Sequence, residues 1–120
     1  MVKKIKKSED IEAEKILDIV KKALDDGKAE DVVVIDLEGK TSIAAYMVVA
    51  SGTSNRHVAF LAESVQQKLK DSGYKSAAEG EEKADWVLID AYDVIVHIFR
   101  PEVRGFYSLE KMWSAFKKPE

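Results

Sequence analysis

Between residues 9 and 26, apolar side chains return every three or four positions: Ile11, Ile16, Leu17, Ile19, Val20, Ala23 and Leu24. That spacing gathers them on one broad face and predicts an amphipathic helix. Ser8 is placed to cap it, Glu9 and Asp10 suit its positive start, and Gly27 is placed to stop it. The period then changes. Val32 to Ile35 is an unbroken β-branched run, which predicts a strand buried on both faces. A turn at Glu38-Gly39-Lys40 leads to a second strand over Ala44 to Ala50, followed by Ser51-Gly52-Thr53-Ser54. Helical spacing resumes over about 55–71 through Val58, Leu61, Ala62, Val65 and Leu69, and Gly73 ends it. Tyr74 to Ala78 reads as a short edge strand and Glu79 to Lys83 as a polar loop. Trp86 to Asp90 and Val94 to Phe99 then form a hydrophobic hairpin through Ala91-Tyr92-Asp93, closed by Pro101. Leu109 to Phe116 reads as a short terminal helix before a frayed end at 117–120.

The predicted order is α-β-β-α-β-β-β-α. It defines a single-domain α/β (α+β) fold, a mixed sheet of about five strands flanked by helices. The domain runs over 9–116, behind a flexible basic N-terminus at 1–8. At 120 residues, with 46% hydrophobic and 34% charged positions, the chain can bury a core without staples. No cysteine is present, which excludes disulfides and thiolate metal sites and fits a reducing cytoplasm. The opening MVKKIKKSED lacks the apolar stretch of a secretory leader, and no apolar run approaches a membrane span. A formal charge of −3 argues against a protein that grips nucleic acid through a broad basic surface.

Three constellations could carry chemistry. Gly52-Thr53-Ser54-Asn55-Arg56-His57 lies at a strand-to-helix junction, where glycine, hydroxyls and free helix N–H groups can cradle a phosphate. It lacks the Walker and dinucleotide glycine spacings, so capping by Thr53 or Ser54 is its simpler role. Asp36, Glu38, Asp90 and Asp93 could hold divalent ions, but each stands at a turn, where acids bond their own backbone. His57 and His97 are the only histidines, and there is no serine elbow. Strand alternation puts His97 with Ile95 and Phe99, as a half-buried, hydrogen-bonded residue. None of these patterns asks for a cofactor or a resident metal, and an enzyme is not expected. A nucleotide-binding or nucleotidyltransferase-like domain is the alternative.

The last constellation is aromatic: Trp86, Tyr92, Phe106, Tyr107 and Trp113, among Glu81, Glu82, Asp85, Asp90, Asp93 and Glu110. Some of these rings must be core. Tyrosine and tryptophan within an acidic rim are also what a protein-docking face uses.

Three segments together resemble the ribosomal silencing factors, also called RsfS or Iojap-like proteins. They are Asp31-Val32-Val33-Val34-Ile35-Asp36-Leu37 with Ala50 to His57; Gly80 to Asp90 around Trp86-Val87-Leu88-Ile89-Asp90; and Val96-His97-Ile98-Phe99 with Arg104 and Phe106 to Trp113. The resemblance covers about residues 9 to 116. It implies a stripped nucleotidyltransferase-like fold without the paired catalytic acids. It also implies binding to the large ribosomal subunit through large-subunit ribosomal protein fourteen, steric blocking of small-subunit joining, and repression of translation. A part in large-subunit biogenesis, and a homodimer when free, come with it. A mildly acidic factor would suit a strongly basic ribosomal protein without contacting RNA directly. On this reading the contact residues are Asp85, Trp86, Asp90, Tyr107, Glu110 and Trp113, with Arg104 and His97 nearby.

Overall fold

The computed structural model describes residues 8–37 and 44–102, with side chains from residue 11 onward. In order, its elements are α1 (Ser8–Asp26), β1 (Glu30–Asp36), β2 (Tyr46–Ser51), α2 (Asn55–Asp71), β3 (Ala77–Glu79), β4 (Trp86–Ala91) and β5 (Val94–Phe99). The strands form one mixed sheet in the order β1-β2-β5-β4-β3. β2 runs parallel to β5, and every other neighbouring pair is antiparallel. A parallel pair needs a crossover. Here the crossover is α2 together with the β3–β4 segment, which returns the chain beside β2. The mixed sheet and the element order agree with the sequence pattern. The terminal helix, the turn at 38–40 and both chain ends lie outside the described residues.

Both helices pack on one face of the sheet. α1 contributes Ile16, Val20, Ala23 and Leu24, and α2 contributes all five residues expected from its periodicity. They meet Val48 and Ala50 of β2, Val87 and Ile89 of β4, and Val94, Val96 and Ile98 of β5. Alternation sends the intervening residues to the opposite face. There Met47, Val49 and Phe99 form a second buried cluster with Leu37 and Ala44, against which Trp86, Ile95 and Ile35 pack. β5 is thus enclosed from both sides.

Two expectations are corrected. The β-branched run of β1 is not an interior strand. β1 stands at the sheet edge, bonded only to β2 among the described strands, and Val32 and Val34 remain 39% and 38% exposed. β-Branching marks a chain that prefers the pleat; it does not say how many neighbours the strand will have. The helices lie mainly over β2, β4 and β5. Ile11, counted in the apolar face of α1, is also exposed, so that face begins at Ala13.

The two helices end in the same way, with different residues in the demanding position. After α2, Tyr74 N–H bonds Leu69 O and Gly73 N–H bonds Lys70 O, with Gly73 at φ +88°. After α1, Ala29 N–H bonds Leu24 O and Lys28 N–H bonds Asp25 O, but the left-handed residue is Lys28, at φ 62°. These are paired Schellman caps. Gly27 does not supply the left-handed turn. It is needed for closeness, because a Cβ there would sit 2.6 Å from Leu61 Cδ2, where α1 meets α2. Asp26 and Lys68 then pair across the helices, and Tyr74 Oη–H donates to Glu12 Oε2 at 2.6 Å.

A lysine held left-handed costs about 1 kcal/mol relative to glycine. Lys28→Gly is therefore expected to raise stability by about that amount, read as a higher urea midpoint at unchanged slope.

Candidate functional site

β4 and β5 build the site from the sheet upward. Their register places Trp86 opposite Phe99, Leu88 opposite His97 and Asp90 opposite Ile95. These six side chains share the face away from the helices. The Trp86 indole stacks on Phe99, with centroids 5.0 Å apart, and its Nε1–H donates to His97 Nδ1 at 3.0 Å. His97 in turn stacks on Phe99 at 5.9 Å. Trp86 is therefore half-buried and fixed in orientation, part support and part surface. His97 is more buried than the half-buried residue expected, at 7% exposure, and it is hydrogen-bonded as expected, to the indole of Trp86. Burial lowers its pKa from 6.5 to about 4, so the ring is neutral at pH 7.

Asp85 and Asp90 separate in role. Asp90 is exposed on the sheet face and available to a partner. Asp85 is engaged at home: its Oδ1 accepts from Asn55 Nδ2 at 2.8 Å and pairs with Arg100 Nη2 at 3.0 Å. Asn55 also donates to Lys83 O at 2.7 Å, and Arg100 reaches Glu102 Oε2 at 3.1 Å. This network ties the start of α2, the β3–β4 loop and the exit of β5 together. Asp85 thus positions the loop before Trp86. Sequence pattern does not mark Asn55 or Arg100 for this brace. Their only signal is that Asn55 opens a helix just after a capping serine, a place where a polar side chain is ordinary.

The loop so held borders an open groove of about 700 Å³, lined by residues 78–83 with Asp85 and Trp86. Glu79, Glu81, Glu82 and Asp85 outnumber Lys83 along it, so the groove is acidic with an aromatic flank. Gly80 makes the loop possible. It sits at φ +89°, and a Cβ there would collide with Trp86 O. Tyr92, another aromatic candidate, projects from the β4–β5 turn at 77% exposure with φ 65°. Arg104, Phe106, Tyr107, Glu110 and Trp113 lie outside the described residues.

The glycine-hydroxyl junction is occupied by its own helix. Ser54 Oγ caps α2 by accepting from His57 N–H at 3.1 Å. Thr53 N–H donates to His57 Nδ1 at 2.9 Å, and His57 Nε2–H therefore donates to Gly27 O at 2.8 Å. The amides of Gly52, Thr53, His57 and Val58 at this junction are thus already bonded within the chain. Gly52 admits the close approach of Val58, whose backbone N would lie 2.9 Å from an added Cβ. Among the described residues no three metal-ligating side chains converge, and Asp36 and Asp90 are on strands separated by β2 and β5. No described helix is long and apolar enough to cross a membrane.

The chain thus folds as a five-stranded mixed sheet, with two helices on one face and an acidic, tryptophan-bearing surface on the other. The family model described as "Ribosomal silencing factor during starvation" matches residues 10–120. The ribosomal silencing factor RsfS of Zymomonas mobilis is 52% identical over 101 residues, spanning 83% of this chain and 76% of its own. A crystal structure of a Chromobacterium violaceum protein superposes with a TM-score of 0.83 at 42% identity, covering 90% of each chain. A more distant mouse relative, named for mitochondrial assembly of the ribosomal large subunit, is 29% identical over 82% of this chain and 45% of its own length. The chain belongs to the ribosomal silencing factor family, whose members are named as regulators rather than enzymes.

Two outcomes test this geometry. Gly80→Ala should cost about 2–4 kcal/mol in urea unfolding, since it combines a left-handed backbone with a backbone collision. For His97 the folded pKa lies below the unfolded one, so the unfolded chain takes up the proton first. Stability should fall as pH drops from 6.5 towards 4 and level off below. The full loss is on the order of 3 kcal/mol, and His97→Gln should remove that component from the difference between pH 7 and pH 4.5 unfolding curves.

Proposed function

We propose that this chain represses translation by docking on the large ribosomal subunit through large-subunit ribosomal protein fourteen and occupying space that the small subunit needs. The step is steric: no bond is made or broken. The observation that carries this reading is the acidic surface beside Trp86, held rigid by Asn55, Asp85 and Arg100 and set in a chain with family-wide similarity. Ribosomal proteins are rich in lysine and arginine, and opposite potentials speed encounter and fix register. A half-buried tryptophan supplies area that loses little freedom on binding, as interface anchors do.

On this reading Trp86 and Asp90 touch the partner, Asp85 holds the loop, and His97 orients the indole. Arg104, Tyr107, Glu110 and Trp113 complete the contact surface. The free protein is a homodimer in the cytoplasm, and the factor also assists large-subunit assembly, in keeping with the name of the mouse relative.

Co-sedimentation with isolated large subunits, small subunits and joined ribosomes tests it. The expected result is binding to large subunits alone, with joined ribosomes declining as protein is added. Asp90→Lys changes an exposed residue and should leave the fold unaltered. It should weaken large-subunit binding roughly tenfold at low salt, and less at high salt. Equal binding to both subunits, or none, would overturn the proposal.

A further inference from the structure

The β4–β5 turn holds an aromatic side chain at a backbone cost that packing within the chain does not offset. Ala91 pairs with Val94, so Tyr92 and Asp93 alone make the turn. Tyr92 sits at φ 65° and Asp93 is not left-handed, which is the φ signature of a type II′ turn. Glycine is the ordinary residue at that first position, because a Cβ there crowds the backbone. Here the position is a tyrosine whose side chain stays in solvent: at 77% exposure it buries little against its own protein. The turn is nonetheless fixed. The β4–β5 ladder closes at its base, and Asp93 O accepts from Ala45 N–H at 2.8 Å and from Tyr46 N–H at 3.1 Å. A strained residue that its surroundings hold in place, and that does nothing for the core, points to a role at the surface.

We infer that Tyr92 is a second anchor of the docking surface, its ring stacking on a lysine or arginine of the basic protein partner. This deepens the docking function proposed above and rests on it. Charge selects the occupant. From Ala84 to Phe99 the chain carries Asp85, Asp90 and Asp93 and no lysine or arginine. Asp90 is exposed and Asp93 half-buried, one on either side of Tyr92 in the sequence. A cation over a tyrosine face is attracted by the ring quadrupole, and carboxylates close by add to that attraction. The same acids repel the phosphates of a nucleic acid. A second copy of this chain would bring the same acids to the contact and a net charge of −3. Tyr92 follows Trp86 at the far end of β4, about 20 Å along the strand. Two rings that far apart fix the direction of a partner segment along the hairpin, which one ring cannot do.

The test uses two readouts that should move in opposite directions. Tyr92→Gly removes the ring and relieves the turn, whereas Tyr92→Phe keeps the ring face. Both variants and the unaltered protein are sedimented with purified large subunits and with protein-free large-subunit RNA, and each is also sedimented alone. The expected result for Tyr92→Gly is a higher urea midpoint together with a roughly tenfold loss of large-subunit affinity. Tyr92→Phe should bind like the unaltered protein. If the unaltered protein binds large subunits and Tyr92→Gly binds as tightly, the inference is overturned while the docking function stands. A lower midpoint for Tyr92→Gly would also overturn it, by showing that the ring is held by its own chain. An equal loss with Tyr92→Phe would overturn the stacking in favour of the hydroxyl. Tyr92-dependent binding to the naked RNA, or loss of self-association in Tyr92→Gly with subunit binding intact, would overturn the basic protein as the ring's partner. If the unaltered protein does not bind large subunits, the docking function itself fails, and this inference with it.

Discussion

Everything in this fold leans on β5. It is the strand with a parallel neighbour on one side, an antiparallel neighbour on the other, helices over one face and an aromatic cluster on the other. The alternation of Val94, Val96 and Ile98 with Ile95, His97 and Phe99 serves the two faces at once. The parallel pairing with β2 is the demanding part, since it is closed only after α2, β3 and β4 have been laid down. Nonlocal closure of this kind carries a loop-closure cost that the enclosed centre of the sheet must offset. The rigid surface near Trp86 is therefore anchored to the most enclosed part of the molecule.

Much of this was legible in the chain. Helical periodicity located α2 and named its buried face, because apolar residues spaced at 3.6 over about three turns can share one face only in a helix. The β4–β5 hairpin was equally plain, since two apolar runs separated by a short turn can hardly pair otherwise. What could not be read was neighbourhood. Val32 to Ile35 and Val94 to Phe99 look alike as strings, yet one lies at the rim and the other at the centre. The choice depends on where the helices settle, which no local pattern states. Lys28 hides its left-handed turn for a related reason. A glycine stands directly before it, and that glycine serves a helix contact instead.

The candidate site divides along the same line. Residue types and their order pointed to Trp86, Asp85, Asp90 and His97, and β4–β5 register does bring three of them onto one face. Their roles came only with coordinates. Asp85 turned from a surface charge into a brace, and His97 from an ordinary strand residue into the acceptor that orients an indole. Asn55 and Arg100 reach Asp85 from distant parts of the chain, which spacing along a sequence does not register. Such braces would serve the docking proposed above, because a pre-ordered surface loses less entropy when its partner arrives.

The rim strand has a consequence of another kind. An edge with two outward valines is a template on which further chains can stack, the first step towards fibrous aggregates. In β1 the template is spoiled from within. The register slips between Glu30 and Val33, Asp31 adopts a left-handed backbone at φ 48°, and Glu30, Asp31 and Asp36 bracket the valines with negative charge. A second copy approaching this edge meets a kink and its own charge. The strand can then keep an apolar composition for its inner contacts while a few residues at the rim of the sheet, separated by two strands from β4 and Trp86, guard its edge.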